Sequence, residues 1–418
     1  MVESIRVVVC VLLCGTVLSF ATAGSAQEIP VPQQEAWFDA RNWLDPDEWL
    51  APEDWFPPAR NSPVSQVPNM MGDTFVNLTD LRRTDDSREA TGYLEMSGGA
   101  DRLVLSQNSS PRPTDRVFFQ HQHLEGIDLL VRKSFGTGRG QSTLLDRYLF
   151  GCEKTFFDGQ ASLELRFPFA AGHDYSRSGF PTTVTNSREG DISLIGKSVI
   201  SETENAIVSG GIGVQIPTAN GLFGRRFLID HDATFVSPFL SFATTHEDWF
   251  CTGMLQADFT MAGDPVFSLE PASTFRFPSP FTRFGSPFTE EYSKQGIYTP
   301  QHLLRVNLGG GRWLIRNADR SWLRGLAGIV ELHWTSTLND SDRIFADTTS
   351  QDPANGAVST TVTIQNQENR QDLLNLTAGL HVELTEHVNA RIGASVPLRK
   401  ENRQSDVAIL VQMDVRLR

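Results

Sequence analysis

The segment that closes the chain constrains the fold more than any other. Val407, Ile409, Val411, Met413, Val415 and Leu417 alternate with Asp406, Ala408, Leu410, Gln412, Asp414 and Arg416. Successive side chains of an extended strand point to opposite faces, so this run has one apolar face and one largely polar face. It continues for about a dozen residues, roughly twice the length of an ordinary soluble strand. Such a length suits a tilted strand that crosses a bilayer with lipid on one side and a polar interior on the other.

The pattern recurs along the chain. Leu374, Leu376, Ala378, Leu380, Val382 and Leu384 alternate with Asn375, Thr377, Gly379, His381 and Glu383. Val388, Ala390, Ile392, Ala394 and Val396 alternate with Asn389, Arg391, Gly393 and Ser395. Leu326, Val330, Leu332 and Trp334 face away from Ile329, Glu331, His333 and Thr335, and Leu163, Leu165, Phe167 and Phe169 from Ser162, Glu164 and Arg166. The segments starting at Ala206 and Trp249 repeat it. Twelve strands are predicted, near 115–123, 147–157, 160–169, 191–200, 205–216, 233–244, 249–261, 301–315, 325–338, 373–384, 388–397 and 406–417. Their connections alternate between short turns, such as Asp158-Gly159 and Thr385-Glu386-His387, and long stretches such as 262–300 and 339–372. This ordering fits short periplasmic turns and long outer loops. The expected fold is therefore all-β, a closed antiparallel transmembrane β-barrel over 114–418. Because the link at about 316–324 is long for a turn, ten or fourteen strands stay open.

The N-terminal end states the destination. A charged start, an apolar run from Val7 to Phe20 and small residues up to Ala26 read as a cleaved secretory signal over 1–26. The apolar run is too short to span a bilayer, and no later stretch approaches the ~18 residues of a membrane helix. With export, the expectation is the outer membrane of a two-membrane bacterium, with outer-membrane lipid as a partner. A formal charge of −14 speaks against nucleic acid, whose phosphates are held by cations. Cys152 and Cys251 are expected to stay unpaired, since both fall on the outer face about half a barrel apart. Lys154 also falls on the lipid face, where it has to reach an interface.

Residues 27–72 form an acidic, proline-rich arm in which Trp37, Trp43, Trp49 and Trp55 recur every six residues. Six residues are two turns of polyproline II, which stacks the indoles along one edge; a short helix capped at Asp45-Pro46-Asp47-Glu48 is the alternative. The four tryptophans are arm-binding candidates for a periplasmic protein or cell-wall polymer, against the plainer reading of a flexible linker. Residues 73–113 read as a linker or as a hairpin of Gly92–Ser97 with Leu103–Ser106, either outside the barrel or plugging its lumen.

On the face opposite lipid fall Glu164, Arg166, Glu331, His333, His381, Glu383, Arg391, Asp414 and Arg416. They are the candidate lumen lining, because a charge facing lipid at the midplane costs about 2–4 kcal/mol. His121 and His123 share a strand face and suggest two metal-facing imidazoles, but no third ligand stands at a telling spacing, so no metal and no cofactor is expected. Gly136–Gly140 lacks the strand-to-helix context of a phosphate loop, and no nucleophile elbow occurs. The chain is not expected to be an enzyme.

At Pro111–Phe119, Gly151–Gly159, Gly211–Thr218 and Glu331–Leu338 the chain resembles uncharacterised bacterial outer-membrane proteins. These are similar in turn to channel-like barrels of the phenol meta-degradation pathway family. Over residues 100–418 the resemblance implies a barrel and, loosely, transport. The leading functional expectation is a channel or small-solute transporter with a polar lumen. A non-conducting structural or binding protein is the alternative, and an outer-membrane lipid hydrolase comes third.

Overall fold

The structure, a computed structural model, describes residues 63–75, 78–85, 88–95, 102–128, 142–170, 189–219, 221–223, 227–270, 291–316, 323–352, 356–366, 370–399 and 403–417. The signal segment, the four arm tryptophans, Gly136–Gly140 and the aromatic–basic stretch Phe275–Phe288 lie outside them.

Twelve antiparallel strands close into a barrel. They are β1 (Arg116–Asp128), β2 (Ser142–Phe156), β3 (Ala161–Ala170), β4 (Ile192–Glu202), β5 (Ala206–Ile216) and β6 (Thr234–His246), followed by β7 (Trp249–Ala262), β8 (Leu303–Arg316), β9 (Gly325–Thr337), β10 (Asp372–Glu383), β11 (Val388–Pro397) and β12 (Val407–Arg416). Each pairs with the next, and β12 pairs with β1 through partners such as Gln412 and Gln120, which leaves the barrel no free edge.

The period-two pattern fixes which way each side chain points. Val330 is 54% exposed and its neighbour Glu331 is 1% exposed. The outer face carries a belt of exposed apolar residues that includes Leu240, Leu255, Leu308, Leu380, Ile392, Ile409, Val411 and Met413. A soluble monomer does not leave such a continuous apolar surface to water; a closed barrel with this belt is the membrane-spanning kind. Cys152 and Cys251 are exposed on this face and unpaired. Lys154 points outward beside the short-turn end, its Nζ 3.6 Å from the buried Asp115 carboxylate. That partner, together with a flexible stem, lets it sit on an apolar face.

Local departures from the sequence reading have physical causes. The pair β1–β2 runs further than the predicted 115–123 and 147–157, because a bulge at Gly126 (φ 72°) shifts register between Leu124 and Ile127 and breaks the alternation there. The predicted two-residue turn Asp158-Gly159 is a four-residue turn from Phe157 to Gln160. Phe157, Asp158 and Gly159 all adopt positive φ, and Gly159 N donates to Phe156 O.

The long connections carry strands of their own. Arg343–Asp352 and Gly356–Asn366 form a hairpin, and the N-terminal hairpin Leu78–Asp85 with Arg88–Glu95 adds to its edge, Leu81 opposite Ile364. Asp264–Glu270 and Glu291–Tyr298 pair likewise, with Phe227–Ile229 and Leu222–Phe223 beside them. The two sheets meet where Ile344 packs on Gly296. Among the described residues, Gly92–Glu95 does not pair with Leu103–Ser106: the strand ending at Glu95 pairs upstream with Leu78–Asp85, and Leu103–Ser106 enters the barrel.

Candidate functional site

The barrel is not hollow. The chain enters at the short-turn end, where a 3-10 turn (Pro63–Gln66) hydrogen-bonds through Val64 N to Glu204 O in the β4–β5 turn. Residues 67–75 run up the lumen. The chain leaves to form the 78–95 hairpin, and residues 102–115 run back down to the start of β1. The lumen segment therefore begins upstream of the boundary at 73 drawn from composition, and it passes through the barrel twice.

The wall holds this segment mainly by its backbone. Glu331 on β9 accepts hydrogen bonds from Met71 N (2.7 Å) and Gly72 N (2.9 Å), and Gln412 Nε2 on β12 donates to Met71 O (2.6 Å). On the return pass Leu105 N donates to Gln256 Oε1 (2.9 Å), Gln256 Nε2 donates to Leu103 O (2.7 Å), and Arg166 Nη1 donates to Val104 O (3.1 Å). Lys197 Nζ donates to Ser110 O (2.8 Å) and Arg147 Nη1 to Phe75 O (2.9 Å), while in the reverse sense Arg102 of the segment donates to the backbone O of Gln301 just before β8. Wall side chains thus pair the backbone groups of a segment without regular structure, as buried backbone requires. Gly72 allows the crossing. Its φ is +87°, and a Cβ there would stand 2.5 Å from Gln107 Cα on the other pass. Met71 in turn lies against Gly379 and Gly393, where any side chain would strike its sulfur or methyl.

The lining has two characters. From β4 to β9 much of it is apolar: Ile195, Ile207, Phe239, Phe250, Met254, Trp313 and Ile329 pack against Val64, Val67, Met70, Leu103 and Leu105 of the segment. Across the lumen, β1–β4, β11 and β12 carry a charge network. Arg116 bonds Glu153 (2.8 Å), Glu164 (3.0 Å) and Asp414 (3.0 Å). Arg166 bonds Glu164 (2.5 Å), Lys197 bonds Glu153 (2.8 Å), and Arg391 bonds Asp414. Asn108 of the segment accepts from both Arg116 (3.1 Å) and Arg391 (2.5 Å). Most buried inward residues of the wall are polar, and the apolar ones gather in the sector that packs on apolar residues of the segment.

The nine residues read from the sequence as lumen lining all point inward. Glu164, Arg166, Arg391 and Asp414 join the network above. Glu331 holds the segment, and His333 stands beside it at 3.3 Å while its Nδ1 meets Asn307 Oδ1 at 2.8 Å. His381 lies edge-on to Trp313 (5.6 Å), with Glu383 two residues further on the same inner face and Arg416 near the end of β12. Period two did not single out Arg116, Glu153, Lys197 and Arg305, the last bonded to Asp258 at 3.0 Å. Each breaks an otherwise apolar or small-residue stretch, and that charge in a strand is the signal that could have found it.

His121 and His123 face outward. Both meet the same oxygen of Asp146, at 2.9 and 2.8 Å, and His121 stacks on Tyr148. Among the described residues no group of metal-ligating side chains stands in ligating geometry.

No family model matches the chain, and no curated protein matches it. Solved structures do. An outer-membrane channel from Pseudomonas putida F1 is 12% identical, with 73% of this chain and 96% of that chain covered and a TM-score of 0.44. The NanC porin is 8% identical, with 72% and 99% covered and a TM-score of 0.37. A toluene transporter from Pseudomonas putida is 9% identical, with 76% and 95% covered and a TM-score of 0.35.

Proposed function

We propose that the chain is an outer-membrane transport barrel for small solutes, closed at rest by its own N-terminal segment. Short turns face the periplasm, long connections face outward, and lipid surrounds the apolar belt. The observation that carries this reading is a surplus of polar groups on the inner wall. Ser241 Oγ, Thr377 Oγ1, Ser395 Oγ and Gln122 Nε2 are buried without a hydrogen-bond partner. A permanently dry interior pays for each such group, at about 1–3 kcal/mol. A wall that meets water and solute when the segment withdraws does not. The two-sided lining then offers a passing solute an apolar surface on one side and fixed charges on the other.

The same filled lumen favours a second reading, a barrel that conducts nothing and serves as an anchor for its arm. Influx of a small sugar or organic acid into proteoliposomes separates the two. The transport reading expects solute entry above that of lipid alone, raised when residues 63–113 are removed from a barrel that still folds. No entry with either protein supports the anchor.

A further inference from the structure

We infer that the inner wall is a peptide-binding surface and that the solute it admits is a short peptide of uncharged, apolar residues. This rests on the transport reading and names its class of solute.

The charges of the wall do not call for a charged ligand. Arg116 bonds Glu153, Glu164 and Asp414, Arg391 shares Asp414, and Arg305 bonds Asp258. Both members of each pair stand on barrel strands, so withdrawal of the segment leaves these pairs in place. What the segment adds to the network is the neutral amide of Asn108.

Withdrawal strips the wall of something else, namely partners set at peptide spacing. The Gln256 side chain, buried on β7, donates to Leu103 O (2.7 Å) and accepts from Leu105 N (2.9 Å). It thus clasps the chain at two main-chain groups two residues apart. The Leu103 and Leu105 side chains fill an apolar socket with Ile195, Phe239 and Met254. On the other pass, Glu331 accepts from the successive amides of Met71 and Gly72, and Gln412 donates to Met71 O. The Met71 side chain enters the space that Gly379 and Gly393 leave open.

Main-chain hydrogen bonds combined with sockets for alternate side chains are how proteins recognise peptides. A free peptide of this character restores the bonds that buried wall groups lose when the segment leaves, and unmade bonds of that kind are costly. A sugar supplies hydroxyls but nothing for the apolar sockets. An acidic peptide brings new charge to a wall whose own charges are already paired, and buried charge without a partner is strongly unfavourable.

The test uses the full chain and three probes at equal concentration: N-acetyl-Leu-Met-Leu amide, N-acetyl-Asp-Met-Asp amide and maltotriose. Hydrogen–deuterium exchange in detergent reads displacement of the segment, and influx into proteoliposomes, above that of lipid alone, reads passage. The apolar peptide should raise exchange at Met71, Gly72 and Leu105 at least fivefold and saturably, and should enter at least tenfold faster than the other two. In a folded Gln256→Ala variant that preference should fall below threefold; a preference kept intact there overturns the clasp. The comparison of probes on the unaltered chain needs no variant. Unchanged exchange with the apolar peptide overturns the inference whatever enters. Equal influx of maltotriose or the acidic peptide overturns the class of solute and leaves transport standing. A peptide that displaces the segment without entering refutes transport and leaves the peptide surface standing.

Discussion

Glu331→Gln is the sharpest perturbation of the closed lumen. The carboxylate is 1% exposed, and its two oxygens accept from Met71 N at 2.7 Å and Gly72 N at 2.9 Å. Glutamine has the same shape but replaces one acceptor oxygen with an NH2 group, which then faces a backbone N–H. One hydrogen bond to a charged group is lost, contributing about 1.5–3 kcal/mol, and the other is weakened by loss of the charge. A net cost of about 3 kcal/mol converts to roughly a hundredfold in the ratio of held to released segment. Hydrogen–deuterium exchange at Met71 and Gly72 reads that ratio directly, because local opening sets the protection. Their exchange should quicken by about that factor, while the strand amides of β9 and β10 stay protected. Unchanged exchange at both positions in a folded variant would refute the assignment of Glu331 as the latch.

Two further outcomes follow from the same geometry. Gly72→Ala forces a residue with a Cβ into the left-handed region, at about 1–2 kcal/mol before any clash with Gln107 is counted. Exchange across 66–75 and 102–113 should rise at least tenfold without loss of the folded barrel band on unheated gels, and an unchanged profile would mean the two passes do not cross as described. Cys152 and Cys251 should both react with a membrane-permeant maleimide in unreduced, folded protein; mass spectrometry finding either one unmodified contradicts their outward placement.

The barrel was legible because every spanning strand must present lipid with one face and the interior with the other. That demand writes itself into the sequence as period two. Strands such as β9, β10 and β12 were read to within a residue or two, and their inward residues with them. The lumen segment obeys no such rule. Val64, Met70, Leu103 and Leu105 are buried at irregular intervals, because the segment is held through its peptide groups by Glu331, Gln256 and Arg166, and any sequence carries those groups. Arg416 was readable as inward-facing, yet its surroundings depend on where Asp414 spends its two oxygens. Only the closing of β12 onto β1 decides that. The hairpins of the long connections were missed for a different reason: they pair with each other and with the N-terminal hairpin, away from the belt that imposes alternation.

The central claim is that the barrel transports and that residues 63–113 close it. Single-channel recording in planar bilayers tests it most directly, with the full chain and with a variant lacking those residues, both verified as heat-modifiable barrels. The full chain should be closed most of the time, with rare openings, and the shortened variant should conduct steadily. A folded shortened variant that passes no current would contradict the account.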